Sequence, residues 1–314
     1  MLSKLAERLY WTARYIERVE NTARLVSVYD NLLFDLPREI NISWYNLIVL
    51  NSAEERFQDR YKNRDEHNVL KFLLADDSNP SSMLSALRAL RENVRTSRDV
   101  LPQETWELVN ELHIFAKENI QQGINRSERQ QFLEQMVKGC QQINGLIIGT
   151  MSRDAPWQFL RLGRNLERAD MLTRLLDAGA AALLQSEEDT ELNLSQVVWG
   201  NVLRSSSADM SYRRTMRSAV LDRDVAEFLL EDPHFPRSLQ FCLNQIRDAA
   251  EQLPRGAEVV SSIDKPLASP YDLDAAGALG FAFRDYLNQL QLELGELHNC
   301  FSQSWFSLEP RSAE

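Results

Sequence analysis

Apolar residues recur at intervals of three and four positions along most of the chain, which is the spacing of residues on one face of a helix. In the first such segment Leu9, Ala13 and Ile16 share a face, and the pattern predicts a helix over residues 3–33. A second long helix is predicted to begin after Asp154, an N-cap residue that is followed by a proline in the first turn. We find no convincing alternation of apolar and polar residues that would indicate a strand. The pattern therefore predicts an all-α protein of about ten to twelve helices.

Three segments lack this spacing and are predicted to be less regular. The acidic run 186–195 is predicted as a loop, with Asn193 or Ser195 capping the helix that follows. Residues 254–270, which begin and end with proline, are predicted as a looser connection between helices. Residues 309–314 are predicted as a flexible tail.

Two parts of the sequence resemble each other, with their landmarks in the same order. RYIERVENTARL, which begins at Arg14, is matched 150 residues later by RNLERADMLTRL, and both keep an Arg-x-x-Glu-Arg core. FLLADDSNPSS, which begins at Phe72, is matched 156 residues later by FLLEDPHFPRS. We therefore predict a helical bundle built from two tandem, internally duplicated repeats, residues 1–150 and residues 151–308.

The arginines and glutamates of the doubled motif form a polar ridge beside the apolar face of each helix. In the first copy Arg14, Glu17 and Arg24 follow the spacing of one helix face, and the second copy repeats these residue types. Such a ridge is half-buried, which suits arginine because its aliphatic stem packs against apolar surface while the guanidinium pairs with carboxylates. Two interpretations follow, and they are compatible with each other.

The first interpretation is structural. Glu17 and Glu167 would accept hydrogen bonds from arginines of their own or the opposing repeat. The resulting ion-pair lattice would fix how two similar helices cross. Burying a charge without its partner is unfavourable, so such a lattice disfavours a wrong register, although its net stabilisation is often small.

The second interpretation is an anion site. Two Arg-x-x-Glu-Arg copies that face each other would present guanidinium pairs, which bind phosphates and carboxylates through parallel hydrogen bonds. The first repeat lacks an arginine in its copy of the FPRS segment, so a role for Arg237 would be confined to the second repeat. The candidate anion-binding or partner-binding residues are Arg14, Glu17, Arg18, Arg24, Arg164, Glu167, Arg168, Arg174, Arg213 and Arg237.

Composition and charge argue against several classes of function. The formal net charge of −11 argues against general binding to nucleic acid or to an acidic membrane, because such binding depends on positive charge. Three cysteines without a CxxC pair indicate free thiols in a reducing compartment. The first segment is amphipathic and charged where a secretion signal is apolar, and no apolar run has the length of a membrane span. These features predict a cytoplasmic protein.

We find no catalytic or cofactor-binding motif in the sequence. The four histidines lie far apart, and no Glu-x-x-His or HExxH spacing indicates a metal site. There is no glycine-rich phosphate loop and no Gly-x-Ser-x-Gly elbow. Cys140 and Cys242 lie in apolar helical segments and are expected to be buried, inert thiols. We predict no metal and no cofactor, and the catalytic residues stay unassigned.

Three segments carry a resemblance to a known family. They are the opening LSKLAERLYWTARYIERVENTARL, ERAD at 167–170 and FLLEDPHFPRSLQFCL at 228–243. Together they resemble the bacterial alpha-E family, which is named for an all-helical domain with a recurring Glu-Arg motif, and the resemblance runs over essentially the whole chain. It implies a setting more than an activity, since members are typically encoded beside, or fused to, a circularly permuted ATP-grasp ligase, often with a transglutaminase-like cysteine peptidase.

Two functions are consistent with these observations. The first is a non-catalytic accessory or substrate-presenting subunit of an ATP-grasp-type amide or peptide ligase system, whose arginines hold an anionic small molecule, an acidic peptide or a partner's surface. The alternative is a freestanding enzyme that acts on a phosphorylated or carboxylate substrate in a cleft lined by arginine and glutamate. We favour the first because the sequence offers no credible nucleophile, metal set or nucleotide loop. The alternative predicts a glutamate with a strongly shifted pKa in an open cleft.

Overall fold

The computed structural model describes residues 3–35, 42–184, 191–268, 270–273 and 279–307, and within these ranges it contains fourteen α-helices and no strand. The helices of the first half are α1 (Ser3–Asp35), α2 (Asn46–Leu50), α3 (Glu54–Arg60), α4 (Glu66–Leu74), α5 (Met83–Arg95), α6 (Glu104–Ile124) and α7 (Arg129–Thr150). Those of the second half are α8 (Ala155–Leu183), α9 (Glu191–Ser205), α10 (Asp209–Met216), α11 (Asp222–Glu231), α12 (Leu239–Glu251), α13 (Gly256–Ala268) and α14 (Phe281–Phe301). A π-helical turn, Ser302–Phe306, follows α14. The all-α prediction is confirmed for this part of the chain.

The two longest helices, α1 and α8, pack against each other at the centre of the molecule. α1 also packs against α5 and α7, and α8 packs against α12 and α14. α2 of the first half contacts α8, and α9 of the second half contacts α1. The apolar face predicted for α1 is the buried one, since Leu9, Ala13 and Ile16 are all in the hydrophobic core.

A glycine permits the close contact of the two central helices. A Cβ atom added at Gly163 would lie 2.0 Å from the backbone oxygen of Tyr10. Any other residue at this position would push α8 away from α1. The close crossing places the polar ridges of both helices within reach of each other.

Local backbone features recur in the two halves. Ser52 and Ser207 both adopt left-handed backbone conformations, with φ of 50° and 55°. Ser82 and Ser238 each cap a helix of 13 residues, because their side chains accept a hydrogen bond from a backbone N–H in the first turn. Asp154 caps α8 in the same way, as the sequence predicts.

The predicted connection at 254–270 is mostly helical, which corrects the prediction. In α13 the residues Val259, Ile263 and Pro266 are buried at the four- and three-residue spacing of one helix face. This face packs between α12 and α14. The packing outweighs the penalty of about 3 kcal/mol for a proline inside a helix, and Pro266 falls in the last turn.

The acidic segment before α9 is shorter than predicted. α9 begins at Glu191, so a loop that continues to residue 195 and a cap at Asn193 or Ser195 are both wrong. Residues 186–190 and the predicted tail, 309–314, lie outside the described residues. None of the helices in the described part combines the length and the apolarity needed to cross a membrane.

Candidate functional site

The doubled Glu-Arg motif lies where α1 crosses α8, and each copy pairs with the other. Both copies occupy the turns at the point of closest approach, beside Gly163. An arginine of α1 therefore meets the glutamate of α8, and an arginine of α8 meets the glutamate of α1. We call this set of paired residues the Glu-Arg lattice.

Glu167 of α8 is held by two arginines of α1. Its Oε2 accepts a hydrogen bond from Arg14 Nε over 2.6 Å, and its Oε1 accepts one from Arg18 Nε over 2.6 Å. Arg18 Nη2 donates a further bond to Oε2 over 3.1 Å. The Glu167 side chain is buried, and both of its oxygens are occupied by arginine donors.

Glu17 of α1 is fully buried and meets arginines of the second half. Arg168 Nη2 donates to its Oε1 over 2.7 Å, and Arg164 Nε lies 3.9 Å from the same oxygen. Arg237, in the segment before α12, places Nη1 at 3.1 Å from Glu17 Oε2 and Nη2 at 3.0 Å from Glu20 Oε1. Arg237 thus completes this side of the lattice.

The arginines keep both glutamates ionised. Burial by itself raises the pKa of Glu167, but the guanidiniums of Arg18 and Arg14 outweigh it and lower the pKa to about 2. Burial likewise raises the pKa of Glu17, and the arginines of the second half, Arg168 foremost, lower it to about 2. A carboxylate with so low a pKa is a weak base near neutral pH.

Arg164 is the least well paired of the lattice arginines. Its Nη2 donates to Asn144 Oδ1 over 3.3 Å, while its Nε stays at 3.9 Å from Glu17. Burial, together with the neighbouring Arg168, lowers the pKa of Arg164 to about 10. Arg164 therefore remains charged at neutral pH, although its surroundings disfavour the cation.

A second acidic residue follows each glutamate and pairs within its own helix. Glu20 accepts a hydrogen bond from Arg24 Nη2 over 2.8 Å, and Asp170 accepts one from Arg174 Nε over 3.1 Å. Arg174 Nη1 also donates to Ser52 Oγ over 2.9 Å. These pairs extend the Glu-Arg lattice by one turn along each helix.

Arg14 is linked to a tyrosine and a histidine. Its Nη1 donates to Tyr10 Oη over 3.1 Å, and Tyr10 Oη lies 2.8 Å from His298 Nδ1. Burial raises the pKa of Tyr10 to about 12, so the hydroxyl stays protonated and donates a hydrogen bond to Nδ1. Burial and the nearby Arg14 lower the pKa of His298, so we assign a neutral ring with its proton on Nε2.

An open cavity of about 330 Å³ lies on the Glu167 side of the lattice. Its charged lining consists of Arg14, Arg18, Arg56 and Arg174 together with Glu167 and Asp170. Four guanidiniums against two carboxylates leave two positive charges in excess. The volume falls at the lower end of the range of small-molecule sites, so the cavity can hold a small anion.

The crossing brings together all but one of the candidate residues. They are Arg14, Glu17, Arg18, Arg24, Arg164, Glu167, Arg168, Arg174 and Arg237. Arg213 is not brought to the crossing. It lies on α10, where its largely exposed side chain pairs with Asp209 one turn earlier over 3.3 Å, and α10 packs against α9 and α11.

Some residues of the cavity wall carried no signal in the sequence. Arg56 lies on α3, a short helix that the apolar spacing did not predict, and it forms no ion pair with any residue that the structure describes. His298 reaches Tyr10 from the far end of the chain, without a motif that links them. Ser81 was visible in the sequence only as the residue that matches Arg237 at an offset of 156 residues.

The chemistry away from the lattice is sparse. Cys140 and Cys242 are buried free thiols, as the sequence predicts. Burial raises the pKa of Cys242 to about 12 and raises that of Cys140 well above its ordinary value. Within the described ranges no group of three or more His, Cys, Asp or Glu side chains is placed to hold a metal ion.

Fold and site together define a class of protein, an all-α bundle whose two central helices are joined by reciprocal Glu-Arg pairs. The chain belongs to the Alpha-E family, whose model, described as a predicted alpha-helical domain with a conserved ER motif, matches residues 1–306. The resemblance of the sequence to this family is thereby confirmed. The chain's two Glu-Arg dipeptides, Glu17-Arg18 and Glu167-Arg168, lie at the centre of the crossing.

The chain is also similar to mycobacterial proteins. An uncharacterized protein of Mycobacterium bovis and one of Mycobacterium tuberculosis are each 23% identical to it over 264 residues. The match covers 78% of this chain but only 29% of each relative, so the chain spans less than a third of their length. No solved structure shows significant similarity to the chain.

Proposed function

We propose that the protein is a non-catalytic accessory or substrate-presenting subunit of an ATP-grasp-type amide or peptide ligase system. The observation that carries the proposal is the cationic cavity beside a paired Glu-Arg lattice. The lattice holds α1 against α8, and the cavity next to it offers donors to an anionic ligand. This division suits a protein that binds and presents a molecule for another protein to act on.

The freestanding-enzyme alternative predicts a glutamate with a strongly shifted pKa in an open cleft, and Glu167, which lines the cavity, has such a pKa, but the shift is downward and so does not favour a general base. A general base works best when its pKa lies near the operating pH, whereas arginine pairing holds the pKa of Glu167 at about 2. Both oxygens of Glu167 already accept hydrogen bonds from Arg14 and Arg18. Glu167 is therefore better placed to orient these arginines than to move a proton.

The greater length of the mycobacterial relatives supports a role beside a partner protein. The similar segment is less than a third of each mycobacterial relative, so in those proteins it shares a chain with much additional sequence. Interfaces between domains of one chain resemble those between separate proteins, so a domain joined to others in one protein is a reasonable subunit in another. The family resemblance supplies the candidates, a circularly permuted ATP-grasp ligase and, second, a transglutaminase-like peptidase. An ATP-dependent partner would place the complex in the cytoplasm.

We also infer that residues 1–150 and 151–308 are tandem copies of one unit. Seven helices of the described part fall in each half. In the first half α1 packs against α5 and α7, and in the second half α8 packs against α12 and α14 in the same way. The left-handed serines Ser52 and Ser207 lie 155 residues apart, close to the sequence offset. A doubled unit explains why the two Glu-Arg motifs meet face to face.

Where a circularly permuted ATP-grasp ligase is encoded beside this chain, its co-expression with the chain, followed by size-exclusion chromatography with light scattering, tests the proposed function. We expect the two proteins to elute together at low and moderate salt, and we expect no ligase turnover by the isolated chain. Separate elution at both salt concentrations would contradict the subunit role. Turnover by the isolated chain would instead support the enzyme alternative.

A further inference from the structure

The two sides of the Glu-Arg lattice use corresponding positions, but one side is filled and the other is open. On the filled side Arg237 lies between Glu17 and Glu20, and the space beside it is about 10 Å³. On the open side Ser81 lines the cavity of about 330 Å³. Ser81 and Arg237 each directly precede the serine that caps the next helix, so local structure and sequence agree on the correspondence.

The carboxylates of the open side have no need of a further cation. Arg18 donates to both oxygens of Glu167, through Nε and Nη2, and Arg14 donates to Oε2 as well. Asp170 accepts from Arg174 at both oxygens, over 3.1 and 3.3 Å. A cation entering the cavity would therefore find these acceptors already engaged.

The arginines of the cavity wall present unused hydrogen-bond donors. Within the described structure Arg14 Nη2 and Arg18 Nη1 form no hydrogen bond, because the other nitrogens of these side chains make the contacts to Glu167 and Tyr10. Arg56, which also lines the cavity, adds a whole guanidinium from α3. The cavity thus combines an excess of two positive charges with free guanidinium nitrogens from separate helices.

We propose that the cavity binds a compact dianion, either a phosphate group or a dicarboxylate, between Arg56 and the free nitrogens of Arg14 and Arg18. Two negative charges match the excess positive charge of the lining. Guanidiniums bind the oxygens of both kinds of group through paired, charge-assisted hydrogen bonds. The inference rests on the anion site of the proposed function and not on the ligase partnership, and it names the class of ligand that the subunit presents.

Isothermal titration calorimetry on the isolated chain tests the ligand class. The probes are inorganic phosphate at slightly alkaline pH, succinate and, as a monoanion, acetate. We expect one site that binds phosphate or succinate at least about tenfold more tightly than acetate. Whichever of the two dianions binds more tightly shows whether the site takes a phosphate group or a dicarboxylate. Absence of binding by both dianions, or equal binding of acetate, would overturn the proposal.

Three variants test the place of binding. Ser81→Glu places a carboxylate in the cavity lining, where it pairs with the free guanidinium nitrogens and repels an anion, and is expected to weaken dianion binding at least about tenfold. Ser127→Glu adds the same charge at an exposed position outside the cavity lining and should leave the affinity unchanged. Arg56→Gln alters an exposed side chain, so the fold is retained, and it should also weaken binding about tenfold.

Wild-type affinity in Ser81→Glu and Arg56→Gln would overturn the site. If Ser81→Glu does not fold, Arg56→Gln alone decides the outcome. These titrations use the isolated chain, so they stand whether or not a ligase co-elutes with it. A chain that binds a dianion but no ligase would retain this inference and lose the subunit role.

Discussion

At the scale of single residues, the buried glutamates link stability to pH. Burial raises the pKa of Glu17 and Glu167, the arginines outweigh it, and the folded-state values lie near 2, against 4.5 for an unperturbed glutamate. Because the folded-state pKa is the lower one, the stabilisation is fully present above about pH 4.5 and is lost as the pH falls toward 2. The shift corresponds to roughly 3 kcal/mol for each carboxylate.

We therefore expect the free energy of unfolding, measured with urea, to fall steeply between pH 4.5 and 2. Glu167→Gln should make this fall shallower, because one titrating carboxylate is gone. Glu134→Gln is the matched control, since Glu134 is largely exposed and, among the residues that the structure describes, pairs only with Lys138 one turn away. A wild-type pH dependence in Glu167→Gln would show that the pairing does not stabilise the fold.

Arg237 gives a second prediction at this scale. Arg237→Ser installs the residue type found at the corresponding position and leaves Glu17 and Glu20 without one of their cations. We expect a loss of about 3–5 kcal/mol, the range for breaking a buried ion pair, measured by chemical denaturation. Arg213→Ser breaks a largely exposed pair on α10 and should change stability by at most about 0.5 kcal/mol. Equal effects of the two substitutions would contradict the lattice.

The sequence predicted the residues of the lattice better than their partners. The spacing of Arg14, Glu17 and Arg24 on one ridge follows from helix geometry alone. Their pairing does not, because Arg14 and Arg18 bind Glu167 of another helix and leave Glu17 to the second half. Partner choice depends on how the helices cross, and a single ridge does not determine that.

At the scale of helices, the contact of α1 with α8 depends on one missing side chain. In Gly163→Ala the new Cβ would lie 2.0 Å from the backbone oxygen of Tyr10, so the helices must separate. We expect a loss of at least about 1–3 kcal/mol, the cost of overpacking a core, measured by urea denaturation. Gly145→Ala, in α7, meets no atom within 4 Å and should be neutral or stabilising by up to about 1 kcal/mol. A stabilised Gly163→Ala would contradict the close crossing.

The long helices were predictable, whereas two of the short ones, α3 and α10, were not. α1 and α8 contain many turns of apolar spacing and, for α8, a clear N-cap signal at Asp154. α3 and α10 have two turns at most, and a helix of that length is stable only through tertiary packing. Each buries one aromatic side chain, Phe57 or Tyr212, which is too little for a periodic pattern.

At the scale of the whole molecule, the cavity lies beside a position at which the two matched sequence segments differ. The sequence shows that Ser81 stands where the second half has Arg237. It does not show that Arg56 of α3 and His298 of α14 meet α1 and α8 around the space that remains. That arrangement requires packing between helices more than 200 residues apart, which local sequence patterns do not report.

The central claim is that the lattice holds the fold and the cavity binds the anion. The most direct test is scanning calorimetry of Arg168→Gln and Arg56→Gln, each with and without the tighter of phosphate and succinate. We predict that Arg168→Gln melts at a lower temperature but binds the dianion as wild type does. Arg56→Gln should melt like the wild type yet gain little stability from the dianion. Loss of binding in Arg168→Gln at unchanged stability, or full stabilisation of Arg56→Gln by the ligand, would contradict the account.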